Sequence, residues 1–422
     1  MNYKKTIFNN GLRVITVPMK GSPTVTVFVL VEAGSKYEQK ENNGISHFLE
    51  HMCFKGTKRR PSNSAISTEL DNLGAHYNAF TSQEYTGYYA KAQYNQFAKI
   101  LDIVSDMYLN PIFDEKEIEK EKGVIIEEIN MYEDLPQRKV QNLIMELVYG
   151  DEPAGFDIAG PKDNIKKMSR TDFVDYRQKF YTSSATTIII AGNFTEKIVL
   201  KEVKRIFSII PKLKKGLKKK VIDKQITPAV ALFKKETDQT HLVIGIRTFN
   251  AYDKRSRVLK VLDGVLDAGM SSRLFKKLRD EMGVCYYVNA DQDAFTDHGL
   301  YTISAGVDNK RVKEVVTVIL GELNKLKAEL ISPAELKKVK QNLIGTMYLG
   351  LESSNSLANF FGFQEIMNKK IKKPEDIKKE INSVTAKEVR ALAREVFVDR
   401  NLNLAIVGRF DNKAEFEEIL KF

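Results

Sequence analysis

Gly44-Ile45-Ser46-His47-Phe48-Leu49-Glu50-His51-Met52-Cys53-Phe54 is the stretch on which the reading of this chain turns. In a helix, His47 and His51 stand one turn apart and share a face, and Glu50 reaches the same side. The pattern H-x-x-E-H is the H-E-x-x-H zinc signature read backwards. Two neutral imidazoles at this spacing can grip one zinc ion and leave it enough charge to acidify a water to a pKa of about 7. A carboxylate beside them then takes the proton and aims the water. A lone histidine on an apolar helix face is usually just packed. Here five histidines occur in 422 residues, and two of them frame a glutamate.

Composition narrows the class. Hydrophobic residues make up 43% and charged residues 29%, the balance of an ordinary globular protein of two or more domains. Cys53 and Cys285 are too few for a disulfide framework and suit a reducing compartment. The first residues carry no apolar run of signal-peptide length, and no 18-residue apolar stretch occurs, so a cytoplasmic chain without a membrane span is expected. A net charge of +11 invites a nucleic-acid reading. The lysines are spread along helix faces, however, and the densest run, 211–220, reads as a solvated linker, so no nucleic-acid partner is expected.

The chain also repeats itself. Residues 164–173 and 187–194 run parallel to 380–389 and 403–410 at a constant offset of 216, which also carries Met131-Tyr132 onto Met347-Tyr348. Two copies of one unit are expected: domain 1–211, a Lys-rich linker 212–224, and domain 225–422. Periodicity assigns mixed strands and helices to each: a hairpin over 5–17 around Asn10-Gly11, a buried strand 25–33, strands 75–81 and 86–92, and a long helix from Asp114 to Tyr132. The offset places Lys337 opposite Glu121 and Ile344 opposite Glu128, and no histidine falls in 258–266, opposite the motif. The scaffold therefore does not need those polar residues, and they are free to serve chemistry in the first copy.

A catalytic zinc takes three protein ligands and keeps one open position. On the long helix, Glu121 and Glu128 share a face, while Glu127 points about 100° away. That face also carries Val124, Ile125 and Met131 and reads as the buried one. Glu128 is the expected third ligand. Glu121 is expected to orient a histidine or the water, and Glu127 to be a surface charge.

With Glu128 following His51 after 76 residues, H-F-L-E-H resembles the M16 metallopeptidases, the pitrilysin, insulin-degrading-enzyme and mitochondrial-processing-peptidase group. The resemblance covers essentially the whole chain, and its length fits the short, processing-peptidase-like branch. It implies an α+β fold of two homologous domains, each a sheet with helices packed on it. It implies one zinc ion per chain, held by His47, His51 and Glu128, with Glu50 as base. Asn78-Ala79-Phe80-Thr81-Ser82 matches the family's substrate-binding edge strand, so Asn78, Ala79 and Phe80 are expected to hold a peptide by strand addition. Arg279 and Tyr286 match the family's arginine–tyrosine pair, suited to a developing oxyanion; without the resemblance they read as a surface charge and a core residue. Cys285 stands where relatives carry a smaller residue. Chains of this branch pair into a chamber, which implies a homodimer or a heterodimer with a related chain.

The function so implied is a zinc metalloendopeptidase acting on unfolded peptides in an enclosed chamber. Two other readings compete with it: a non-catalytic relative that keeps the fold as a structural or partner subunit, and a metal-dependent hydrolase of a small molecule. The first would lose the motif, which is intact here. The second has no use for a peptide-binding edge strand.

Overall fold

Two strands, β1 (Lys4–Ile7) and β2 (Arg13–Pro18), pair antiparallel across a turn in which Gly11 takes the left-handed region, φ +91°. The asparagine–glycine signal thus holds for a physical reason: a β-carbon disfavours that conformation. The structure, a computed structural model, describes residues 2–422 and divides into two units.

The first unit comprises the chain up to Ile129, Phe156–Lys219 and Gly350–Lys373. Besides β1 and β2 it contains β3 (Thr24–Val31), β4 (His76–Thr81), β5 (Thr86–Gln93) and β6 (Thr186–Gly192). These form one sheet in the order β1-β2-β6-β3-β5-β4, which leaves β4 at an edge. β3 and β6 are runs of β-branched and aliphatic residues that are buried nearly throughout, as central strands require. The helices α1 (Ile45–Cys53), α2 (Asn63–Asn72), α3 (Phe97–Leu109) and α4 (Glu115–Asp134) follow in chain order. Phe48, Leu49 and Met52 of α1, Ile100 and Val104 of α3, and Ile118 and Ile125 of α4 share one core with the sheet.

The second unit comprises Asn130–Gly155, Lys220–Leu349 and Pro374–Phe422. Its strands are β7 (Ala229–Lys234), β8 (Gln239–Thr248), β9 (Cys285–Ala294), β10 (Gly299–Asp308) and β11 (Leu402–Gly408), in the order β7-β11-β8-β10-β9. That is the order of the first sheet without its outermost strand, including the parallel pairing of β2 with β6 and of β7 with β11. The offset of 216 carries β2 onto β7 and β6 onto β11 residue for residue.

The two units are not contiguous in the chain. The helix α5 (Pro136–Tyr149) lies within the sequence of the first copy but belongs to the second unit, where Val140, Ile144 and Val148 pack on Val243, Ala405 and Val407. The helix Ser354–Phe363 lies within the sequence of the second copy but belongs to the first unit, where Ser354 Oγ sits 3.0 Å and 2.9 Å from the hydroxyls of Thr24 and Thr26. The sheets keep to the expected halves, and this helix is exchanged in both directions.

The Lys-rich segment departs from the solvated linker expected of it. Lys215 pairs with Glu32 and Lys218 with Glu84, two buried carboxylates of the first unit. Ser183 Oγ and Ser184 Oγ donate to the carbonyls of Pro211 and Leu213. A buried carboxylate requires a cation, so Lys215 and Lys218 of the run are structural. Among the described residues, no helix is long and apolar enough to cross a membrane.

Candidate metal centre

Gly44 begins the motif helix. Its φ of +101°, and the carbonyl oxygen of Ala159 only 2.5 Å from where a β-carbon would stand, admit no other residue. The buried carboxylate of Glu38 then satisfies the first turn: it accepts from the N–H of Gly44 at 2.8 Å, the N–H of Ser46 at 2.7 Å and the side-chain amide of Asn43 at 2.9 Å. An anion is favoured at a helix N-terminus. Burial pushes the Glu38 carboxyl up, and these bonds oppose the shift. Ser46 adds a 2.7 Å bond to Tyr176 OH. Phe48, Leu49, Met52 and Cys53 are buried, which turns His47, Glu50 and His51 together to the opposite, partly buried face.

The structure brings Glu128 to that face. Its Oε2 lies 3.7 Å from His47 Nε2 and 3.6 Å from His51 Nε2. Ligand atoms of the three residues all lie within 4.8 Å of one another, and no other such group of three occurs among the described residues. A tetrahedral zinc with bonds of about 2.0–2.1 Å separates its ligand atoms by about 3.3 Å. The two separations from Glu128 exceed that by a few tenths of an ångström.

Glu121 reaches His51 from α4. Its Oε1 sits 2.8 Å from His51 Nδ1, and its Oε2 pairs with Lys55. Burial raises the Glu121 pKa, but the bonds from His51 and Lys55 outweigh burial and hold the carboxylate below its ordinary range. Glu127 is exposed. One part of the helix reading is corrected. Val124 and Met131 are about half exposed, and the buried stripe of α4 is Ile118, Glu121, Ile125 and Ile129. The long helix wraps its core along a narrower stripe than the pattern of apolar residues indicates.

Burial and the neighbouring His51 push His47 down to about 4, so His47 presents the neutral imidazole a metal needs. Burial lowers His51 as well, but the hydrogen bond to Glu121 and the charges of Glu50, Glu121 and Glu128 raise it on balance. Burial raises Glu50, against a hydrogen bond from Thr81 that lowers it. Three carboxylates surround two imidazoles and one ammonium group, a donor set that suits a dication.

Asn78, Ala79 and Phe80 lie on β4, which is paired on one side only, with β5. Asn78 is exposed, and its Oδ1 accepts from the Ala79 N–H at 2.9 Å. Arg279 and Tyr286 belong to the second unit. Arg279 is exposed on a π-helical stretch, Phe275–Glu281, with its guanidinium 5.1 Å from the Phe275 ring. Tyr286, on the edge strand β9, is 72% exposed. The core reading that Tyr286 has without the resemblance is therefore overturned: alternation along β9 turns Cys285 inward and Tyr286 outward.

Three residues around the site escaped the sequence reading. Glu38 gave no signal, because its role depends on a chain reversal before α1. Lys55 stands one turn beyond His51 and was legible by spacing. Thr81 carries no signal in the sequence beyond its place on the edge strand.

An α+β unit present twice, with a histidine–glutamate–histidine helix and a distal glutamate in the first copy alone, defines a class of duplicated metallopeptidases. Residues 13–162 match the family described as insulinase (peptidase family M16), and residues 167–343 match its peptidase M16 inactive domain. The chain belongs to the M16 peptidase family. A Bacillus subtilis protein named uncharacterized zinc protease YmxG is 35% identical over 414 residues, 97% of this chain and 99% of that one. An uncharacterized zinc protease of Streptomyces coelicolor is 30% identical, across 97% of this chain and 90% of its own length. The fold is that of a crystallised Helicobacter pylori protease, with a TM-score of 0.89 at 23% identity over 96% of this chain and 99% of that one. It is equally that of a peptidase M16 inactive domain from Pseudomonas fluorescens, with a TM-score of 0.89 at 15% identity over 97% and 99% of the two chains.

Proposed function

We propose that this chain is a zinc-dependent endopeptidase that hydrolyses unfolded peptides, with one zinc ion per chain held by His47, His51 and Glu128. The observation that carries the reading is the meeting of both Nε2 atoms on Glu128 Oε2, with the Glu50 carboxylate on the same helix face. A zinc ion, when bound, supplies Lewis acidity to the attacking water and to the scissile carbonyl. Glu121 holds His51 by Nδ1 and leaves its Nε2 lone pair for the ion. Glu50 takes the proton of the water and delivers it to the leaving amine. The open edge of β4 takes the peptide as an added strand, with Asn78, Ala79 and Phe80 along it, and holds the backbone without reading sequence.

Arg279 and Tyr286 are the proposed donors to the developing oxyanion. By analogy with the family, they are proposed to act from the second half of a partner chain, in a homodimer that encloses composite sites. The natural test is cleavage profiling on a peptide library, with zinc removed by chelation and then restored. Activity should vanish and return, and a tightly folded protein should resist. Activity that survives complete zinc removal would contradict the reading.

A further inference from the structure

Thr81 closes β4, and two of its groups point in useful directions. Its Oγ1 donates to Glu50 Oε2 at 2.6 Å. Thr86 Oγ1, which donates to the carbonyl of Ala33 at 2.9 Å, is 3.5 Å away, so the much shorter contact to Glu50 takes the Thr81 proton. The backbone direction follows from the hairpin. The Ser82 N–H donates to the Tyr85 carbonyl at 2.8 Å, which makes Ser82 and Tyr85 a hydrogen-bonded pair. Antiparallel pairs alternate between bonded and non-bonded. The register Thr81↔Thr86, Phe80↔Gly87, Ala79↔Tyr88 therefore puts Thr81 and Ala79 in non-bonded pairs. Their N–H and C=O groups face the open edge. The Ala79 N–H turned to Asn78 Oδ1 rather than to β5 agrees with this.

We propose that Thr81 is a positioning residue that couples the peptide-binding edge to the base: its backbone offers the last hydrogen-bonding position to an added strand, and its hydroxyl fixes the Glu50 carboxylate beside that position. The inference rests on the peptidase reading above. With Oε2 held by Thr81, Oε1 is left to take the proton from water. The oxygen of that water then bonds to the peptide carbon, the C–N bond breaks, and the proton passes from Oε1 to the leaving nitrogen. The branched side chain suits the task, because χ1 of threonine is stiff and a strand favours it.

The test compares Thr81→Val, which keeps the shape and removes the donor, with Thr81→Ser, which keeps the donor. Both are read for kcat and KM on a quenched unfolded peptide, for zinc content, for melting temperature and by crystal structure. T81V should lose about 10–100-fold in kcat, the weight of a hydrogen bond to a charged group. Its KM and zinc content should stay close to those of the unaltered protein, and T81S should recover most of the loss. The T81V structure should show the Glu50 carboxylate rotated away, with His47, His51 and Glu128 in place. Unchanged kcat in T81V with an active parent would overturn the coupling while leaving the peptidase reading intact. Equal losses in T81V and T81S, or a loss of zinc or of folding, would overturn it in favour of a packing role. A zinc-loaded parent that cleaves no peptide would remove the peptidase reading and this inference together.

Discussion

His51 Nδ1 lies 2.8 Å from Glu121 Oε1, and that contact decides which nitrogen of His51 is left for a metal. With Nδ1–H donated to the carboxylate, the lone pair sits on Nε2, on the side of Glu128. Glu121→Ala should lower zinc affinity by about 10–100-fold, the usual cost of removing a partner that orients a ligating histidine. Competition with a chelator of known affinity measures it. Lys55 would be left without its partner, so a Glu121→Gln variant, which keeps an acceptor, should fall less.

Glu128 and Glu127 are neighbours with opposite surroundings. Glu128→Gln should lower zinc occupancy, and Glu127→Gln should leave it unchanged, because only Glu128 Oε2 meets both imidazoles. Metal analysis of the two purified variants separates them. Equal occupancy would move the third ligand elsewhere.

Much of this site was legible because its spacing rules are local. His47, Glu50 and His51 need only one helix turn, and Glu121 and Glu128 only one helix face. The repeat added an internal control, because the second copy keeps the fold and replaces the site residues. What stayed hidden depends on long-range chain paths. The exchange of 136–149 and 354–363 between units leaves no local mark, since an amphipathic helix does not say which sheet covers it. The burial of Glu32 and Glu84 beneath Lys215 and Lys218 was likewise invisible, because a charge run reads as solvated until its partners are known. The exposure of Tyr286 is hidden from a reading without the family resemblance, because an aromatic residue reads as core until its strand is seen to be an edge.

Asp263 in the second unit gives stability a pH dependence. Burial pushes its carboxyl up to about 7, and Asp267 and Asp291 add to the shift, against the Tyr301 hydroxyl at 3.1 Å and Lys260. The folded state then keeps a proton that the unfolded chain releases near pH 4. Stability from this group is present below about pH 4 and is lost as pH rises to about 7. Asp263→Asn keeps an acceptor for Tyr301 and cannot ionise. It should stabilise the protein by on the order of 2–4 kcal/mol at pH 8 and by little at pH 4. Thermal melts of both proteins across that range are the measurement. A constant difference at all pH values would contradict the assignment.

The composite-site proposal predicts complementation. Glu50→Gln and Tyr286→Phe should each be weak alone. Refolded together, they should form mixed dimers in which one site joins an intact Glu50 from one chain to the partner's Tyr286. Activity should rise toward a fraction of that of the unaltered protein. Mixed dimers shown to form without any rescue would place the pair in the same chain as the site it serves.

The most direct measurement is turnover and zinc content of Glu50→Gln beside the zinc-loaded parent. The substitution keeps the size of the side chain and all three proposed ligands, and removes the base alone. The parent should cleave an unfolded peptide, and E50Q should carry the same zinc and lose at least about 100-fold in kcat, the lower range for a missing general base. Cleavage by E50Q at the parent's rate, with zinc bound in both, would contradict the account.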